Sequence, residues 1–373
     1  MIEVKGKYNT AIIFSDDYQE NAVAQVQELC DQEFTQGEKI RIMPDYHPGV
    51  GCTVGTTMTI TDKVVPNLVG VDIGCGMSVA FIKKNKDEIN YDELDDVIRK
   101  KVPSGFNVHP KSGRHRFVEK INLDDIYAPF DMERALNSIG TLGGGNHFIE
   151  VNEVSDDTVA LVIHSGSRNL GKQIADYYQN VAYDELMSSG DEKRKKIKKA
   201  LAYLENESFK QYLNDMSIAQ KYAELNRRAM IDIIVSNIGW EVVDSFSTIH
   251  NYIDMEHMIL RKGAISAQKG ERVIIPINMR DGSIIAYGKG NPDWNYSGPH
   301  GAGRLMSRTQ AKKNVSMKDF QEAMKDVWST SVKKSTLDES PFVYKYMNDI
   351  IKNTKDTIEI DQIIKPVYNF KAS

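Results

Sequence analysis

Cysteine is scarce in this chain. Cys30, Cys52 and Cys75 are the only three among 373 residues, too few and too scattered for a disulfide framework. No apolar run reaches the roughly 18–20 residues that a membrane-crossing helix needs. Positive charge is not in excess: 47 Lys and Arg stand against 52 Asp and Glu, a formal net charge of −5. That excludes a generally basic nucleic-acid coat but leaves room for a local basic groove. Internal repeats and low-complexity tracts are missing too. The opening residues, MIEVKGKYNTAIIF, lack the basic segment, apolar run and cleavage site of a secretory signal, so a cytoplasmic location is expected. In that compartment a cysteine is free to act as a metal ligand or nucleophile.

Hydrophobic residues at 41% and charged residues at 27% match a soluble globular protein. The length suits one large domain or two ordinary ones. Hydrophobic periodicity predicts a strand over Tyr8–Phe14 and helices over Glu20–Asp31, Tyr91–Val102 and Met132–Ser138. Arg41–Met58 reads as a Gly- and Pro-rich loop between strands, and Ser104–Arg116 as a basic loop rich in turn residues. Gln173–Gly239 is expected to be a helical insertion or subdomain, with an amphipathic segment over Phe209–Val235. Its basic run Asp191–Lys199 is read as a solvated helix face, with RNA contact as the lesser alternative. Three β segments are expected over Arg261–Gly290, helices over Ser316–Val327 and Pro341–Ile351, and a terminal strand ending near Lys371. The expected class is α+β: one large domain spanning residues 1–373, with mixed sheets surrounded by helices.

The eight histidines divide by setting. His109, His115 and His257 lie among charged and polar residues and read as surface groups, whereas His47, His147, His164, His250 and His300 sit beside Gly, Pro, Asn or Ser. In LVGVDIGCGMSVAFI (68–82) a charged Asp72 interrupts an apolar strand pattern, where it is unfavourable unless paired or metal-bound. Cys75 follows three residues later; it is either a small buried apolar group or, with Asp72, a donor to a divalent transition metal. TLGGGNHFIEV (141–151) turns on three glycines into His147, and TVALVIHSGSRNLG (158–171) brings His164 to the end of an apolar strand. With His250 these make five N, O and S donors. Five exceed a tetrahedral zinc site and suit two metals sharing the thiolate, an arrangement used in phosphoryl chemistry.

GNPDWNYSGPHGAGRLMSR (290–308) delivers His300 on a turn-rich segment, with Gly301, Ala302 and Gly303 leaving room for a ligand. Arg304 and Arg308 stand at i, i+4 spacing, and Arg168 and Arg304 are candidates to hold phosphates bidentately. On its own His300 reads first as a structural loop residue, and the phosphate-facing reading needs a partner site. Asp45 and His47 would project from one side of an extended stretch, or hydrogen-bond within a turn.

The motifs MPDYHPGVG, GVDIGCGM, LGGGNHFIEV, IHSGSRNLG, HNY, GNPDWNYSGPHGAGRLMSR and DESPFVYK, in that order along nearly the whole chain, resemble the RtcB family of GTP-dependent RNA ligases. The resemblance implies one Mn²⁺ on Asp72, Cys75 and His147 and a second on Cys75, His164 and His250. It implies that His300 attacks the α-phosphorus of GTP to form a covalent guanylate. It also implies that Asn146, Phe148, Glu150, Ser283, Tyr344 and Lys371 surround the nucleotide. The implied partners are RNA ends, a 3′-phosphate or 2′,3′-cyclic phosphate (opened first by hydrolysis) and a 5′-hydroxyl. IPINMRDGS (275–283) departs from the family's glycine-containing run, and Arg280 is expected there to add a phosphate contact or narrow the nucleotide pocket. Two rival readings keep the motifs: a binuclear-metal phosphodiesterase or phosphatase acting on RNA ends, and a non-catalytic binder of RNA ends.

Overall fold

Apolar runs and turn residues resolve, in a computed structural model describing residues 1–372, into two large sheets wrapped by helices. The first half runs β1 (Ile2–Lys5), β2 (Thr10–Ile13), α1 (Glu20–Cys30), β3 (Ile40–His47), β4 (Val54–Thr59), β5 (Lys63–Val64) and β6 (Gly76–Lys83). Then come α2 (Tyr91–Lys101), α3 (Met132–Ser138), β7 (Phe148–Ser155), β8 (Thr158–Ser165), α4 (Arg168–Ser188), β9 (Leu204–Glu205) and α5 (Asn206–Ile238). The second half holds β10 (Val242–Ile249), β11 (Asn251–Asp254), β12 (Ile259–Lys262), β13 (Ala264–Ser266), β14 (Arg272–Asn278), β15 (Gly282–Gly288) and β16 (Ser297–Pro299). It closes with α6 (Arg308–Asn314), α7 (Met317–Ala323), α8 (Met347–Asn353) and β17 (Ile358–Lys371). The α+β class holds. No helix among the described residues is long and apolar enough to cross a membrane.

One sheet has the order β1-β2-β3-β4-β12-β11 and the other β10-β6-β8-β7-β17-β15-β14. The central strands β6 and β8 of the seven-stranded sheet are buried on both faces, which is why β6 reads as an unbroken apolar run rather than an alternating one. Met77, Val79 and Phe81 pack on one face with Ile274, Ile285 and Ile364. Ala80 and Ile82 pack on the other with Met230 and Ile234 of α5. The sheet curls until its edge strands meet: the Ile274 N–H donates to Thr248 Oγ1 at 3.4 Å, and Arg272 pairs with Asp244 at 2.7 Å. Each fully buried aliphatic side chain of this kind contributes about 1.5–3 kcal/mol.

The helical stretch is longer and more integrated than its sequence suggests. α5 reaches from Asn206 to Ile238, with Gly239 in the left-handed conformation as its C-cap, and it packs against β6 and β8. The basic run over Asp191–Lys199 is not a helix face: it forms two 3₁₀ turns, where Arg194 pairs with Glu205 and Lys198 with Glu28. Near the C-terminus, the helices expected over Ser316–Val327 and Pro341–Ile351 shorten to α7 and α8, the second preceded by a 3₁₀ turn at Pro341–Val343.

Candidate active site

Register explains how residues scattered over the sequence converge. In the antiparallel ladder Gly76 pairs with Ser165 and Ile249, and His164 faces both Met77 and Phe148. The start of β6, the start of β7, the end of β8 and the end of β10 therefore share one end of the sheet. Cys75, His147, His164 and His250 sit there, at or next to the strand ends. Asp72 comes in on the turn before β6, its Oδ atoms so close to Gly166 that a Cβ there would lie 2.1 Å from Oδ1.

Cys75 Sγ lies 3.5 Å from His147 Nε2 and 3.3 Å from His164 Nε2; His164 Nε2 lies 3.4 Å from His250 Nε2, and Asp72 Oδ2 lies 2.9 Å from His147 Nε2. All but Asp72 are buried. Nδ1 of His147 faces the Leu142 carbonyl at 2.9 Å and Nδ1 of His164 the Asn146 carbonyl at 3.2 Å. A carbonyl only accepts, so each Nδ1 carries a proton; His164 Nε2 is left with a lone pair turned inward, while His147 Nε2 meets the Asp72 carboxylate. Lone pairs from sulfur, carboxylate and imidazoles thus face one another at hydrogen-bond distance, which a cation reconciles. The donor set fits a divalent transition metal, with Cys75, His147 and His164 as its tightest group.

Electrostatics agree. Burial, then the neighbouring imidazoles, hold His164 and His250 well below the usual histidine range, so both are neutral. Burial pushes Asp72 up, but the His147 hydrogen bond and nearby charges outweigh it, leaving the carboxylate below its usual range. Burial and Asp72 push the Cys75 thiol well up, so the thiol alone holds its proton.

His300 reaches this cluster through a second pairing. Ala264 of β13 pairs with Pro299 of β16, and the Ala264 N–H donates to the His250 carbonyl at 3.1 Å. The His300 and His250 rings lie 4.9 Å apart. Asp45, fully buried at the end of β3, accepts the backbone N–H groups of His300 and Gly301 on Oδ2, at 3.2 and 3.1 Å. The same oxygen lies 2.7 Å from His300 Nδ1, off the line a straight N–H bond would take. Of the two sequence readings of Asp45 and His47, the pair faces the site: His47 lines the same cavity, and burial and His300 lower its pKa to about 4. Gly303, at φ 74°, lets the chain pass Asp45, since a Cβ there would lie 2.1 Å from the Asp45 carbonyl oxygen.

A cavity of about 380 Å³ opens between these elements. Asp72, Cys75, His164, His250 and His300 line it, as do Asn146, Phe148, Glu150, Ser283, Gly301, Ala302, Gly303, Arg304, Tyr344 and Lys371. Two of the predicted residues do not. His147 lies behind Asp72. Arg168, at a left-handed φ of 59°, turns its guanidinium to Thr141 Oγ1 (3.3 Å) and the Gly105 carbonyl (3.1 Å), where its charge acts on Asp72. Arg304 lines the cavity but is not on a helix with Arg308, because α6 begins only at Arg308. Its donors go to the Asp338 carbonyl (2.7 Å) and Glu339 (3.4 Å). Arg280 turns out of the cavity, onto Asp281 and the Phe342 ring, while Asn278 lines it. His115 is not a surface group: its side chain is nearly buried and lies 3.0 Å from Asp232.

Sequence reasoning missed three residues. Buried Glu339 gathers Arg308 (2.6 Å), Tyr344 Oη (2.7 Å) and Lys371 Nζ (2.9 Å). Despite burial, the Lys371 and Arg308 charges pull its pKa down to about 2. Its signal was its place in DESPFVYK. Asn226 and Arg227 of α5 hold together the loops that carry the donor cluster. Arg227 donates to the carbonyls of Gly74 (2.7 Å) and Ser165 (2.9 Å), and Asn226 accepts the N–H groups of Gly140 (2.9 Å) and Thr141 (3.0 Å).

A family model described as tRNA-splicing ligase RtcB matches residues 25–131 and 125–372. The RNA-splicing ligase RtcB of Escherichia coli is 33% identical over 370 residues, covering 89% of this chain and 90% of the relative. The tRNA-splicing ligase RtcB of Aeropyrum pernix is 26% identical over 434 residues, covering 90% of this chain and 89% of the relative.

Proposed function

From the premise that the chain belongs to the RtcB family, we propose that it is an RNA ligase joining a 3′-phosphate or 2′,3′-cyclic phosphate end to a 5′-hydroxyl end, with GTP as the activating nucleotide. The observation that carries this reading is His300, held by Asp45 at Nδ1, in the same cavity as the donor cluster. With Asp45 at Nδ1, Nε2 is the nitrogen left to attack. It forms a bond to the α-phosphorus of GTP while the bond to the bridging oxygen breaks and pyrophosphate leaves. Positive charge develops on the imidazole, and the Asp45 carboxylate offsets it.

An oxygen of the RNA 3′-phosphate then attacks the phosphorus on His300. The P–N bond breaks and the RNA end carries GMP through a pyrophosphate linkage. The 5′-hydroxyl of the second RNA attacks the 3′-phosphate, GMP departs with the electron pair, and a 3′,5′-phosphodiester remains. Asp72, Cys75 and His147 would hold one Mn²⁺ and Cys75, His164 and His250 the other. Bound there, the two ions supply Lewis-acid stabilisation of phosphate charge and lower a nucleophile's pKa. Asn146, Phe148, Glu150, Ser283, Tyr344 and Lys371, with the backbone of Gly301, Ala302 and Gly303, would hold the guanine nucleotide. Glu339 fixes Tyr344 and Lys371 in place. Arg304, which lines the cavity, would meet phosphate, and Arg168 steadies the Asp72 carboxylate.

The test is incubation with α-labelled GTP and Mn²⁺. The expected result is acid-labile, base-stable label on the protein, lost in His300→Ala. An unlabelled wild-type protein that turns over 3′-phosphate or cyclic phosphate without GTP would overturn the ligase reading in favour of a hydrolase.

A further inference from the structure

Phe106 is 93% exposed, the most exposed large apolar side chain among the described residues. It does not sit on a loose excursion. The Gly105 N–H donates to the Gly143 carbonyl at 2.9 Å, the Leu142 N–H to the Pro103 carbonyl at 2.9 Å, and Ser104 bridges to Gly143. Arg168 binds the Gly105 carbonyl at 3.1 Å and Arg134 the Phe106 carbonyl at 2.9 Å. The main chain before the ring is thus clamped to the glycine turn that leads into Asn146, which lines the cavity, and the Phe106 carbonyl is tied to α3 through Arg134. The ring itself has no aromatic partner among the described residues. A large apolar ring held in water on a fixed ledge is unfavourable unless something covers it.

The surroundings say what covers it. The Arg134 guanidinium makes that single hydrogen bond within the described residues, and Lys111, exposed on the same loop, has no ion pair there. Of the acids along this stretch, Glu133 is engaged by Arg114 at 2.7 Å, Asp232 by Arg116 at 2.8 Å and His115 at 3.0 Å, and Asp131 caps α3 by accepting the Arg134 backbone N–H at 2.9 Å. A flat apolar face beside uncommitted positive charge complements an unpaired nucleotide, which brings a base to stack and a phosphate to pair. The ledge's continuity with Asn146 places that nucleotide next to the reacting end.

We infer that Phe106 is the stacking platform for an unpaired base close to the reacting end of the RNA, with Arg134 and Lys111 taking its phosphates. The inference rests on the ligase reading for the identity of the ligand. It makes the substrate class single-stranded near its end, since a base inside a duplex, covered on both faces by its neighbours, cannot lie on the ring.

The experiment is a fluorescence titration of the full chain, without GTP, against an RNA oligonucleotide carrying 2-aminopurine beside an unpaired 3′-phosphate end. Stacking on wild type should quench the probe. Phe106→Ala should abolish the quench and weaken binding about tenfold, within what stacking on one aromatic ring contributes. Phe106→Trp should keep both. Phe106→Ala binding and quenching as wild type does would overturn the inference. So would a loss of equal size for a blunt duplex of the same length. Labelling of wild type by α-labelled GTP separates the two failures. Label with a Phe106-independent quench sinks the platform alone, and a Phe106-dependent quench without label sinks the ligase reading alone.

Discussion

Asp45 and His300 lie 255 positions apart in the sequence, yet one carboxylate oxygen of Asp45 touches the His300 backbone N–H at 3.2 Å and its Nδ1 at 2.7 Å. The other oxygen is buried with no partner among the described residues. A buried carboxylate so placed does two jobs: it fixes the loop by accepting N–H groups, and it sets negative charge against one ring nitrogen.

Asp45→Asn separates the two. The amide oxygen can still accept the backbone donors, so folding should persist, while the charge facing Nδ1 is lost. Guanylate formation on His300 should slow by about 10²-fold, the order seen when one preorganised electrostatic contact is removed from a reacting centre. Single-turnover labelling with GTP measures this. Labelling of Asp45→Asn at the wild-type rate would remove Asp45 from the mechanism.

Much of the site was legible in the sequence because its residues sit at strand ends, where apolar runs meet glycine and polar turns. Asp72, Cys75, His147, His164 and His250 stand out that way, and the antiparallel register then does the gathering. Asp45 was ambiguous because its partner is remote, and locally an Asp two residues from a His fits a turn equally well. Arg227 was illegible for a different reason. On an amphipathic pattern an arginine reads as solvated, and only the packing of α5 against β6 and β8 shows it to be completely buried. Arg304 and Arg308 have helical spacing without a helix between them: Arg304 turns to the Asp338 carbonyl and Glu339, and Arg308 to the Asp338 and Glu339 carboxylates.

Arg227 and Asn226 together connect the Asp72–Cys75 turn, the glycine loop before His147 and the turn after His164. Arg227→Lys keeps the charge, but it loses the Nε donor to Ser78 Oγ, and a single Nζ must replace Nη1 at both carbonyls. Loss of a hydrogen bond to a buried charged group, at about 1.5–3 kcal/mol each, should lower stability by roughly that amount. It should also loosen the donor cluster. In wild type bound to Co²⁺, Cys75 should give a thiolate-to-metal absorption band, absent in Cys75→Ser. Arg227→Lys should need several-fold more Co²⁺ to reach the same band. Identical titration curves for wild type and Arg227→Lys would show that the clamp matters to folding only.

Glu150 makes the site's stability depend on pH. Burial raises its pKa from 4.5 to about 7, although Asn369, at 2.7 Å, pulls it the other way. Between those two values the folded chain holds a proton that the unfolded chain releases. The slope of unfolding free energy with pH is therefore negative across that window. The stabilisation is fully present below pH 4.5 and is lost as pH rises through 7. A shift of this size corresponds to about 3 kcal/mol. Glu150→Gln presents a permanently neutral group that can still accept from Asn369. It should match wild type near pH 4.5 and exceed it near pH 8 by up to ~3 kcal/mol. Denaturant unfolding of both proteins without nucleotide at the two pH values measures the difference. A gap between them that does not widen from the lower pH to the higher would mean that Glu150 is ionised in the folded protein throughout, held by the Lys371 charge rather than neutralised by burial.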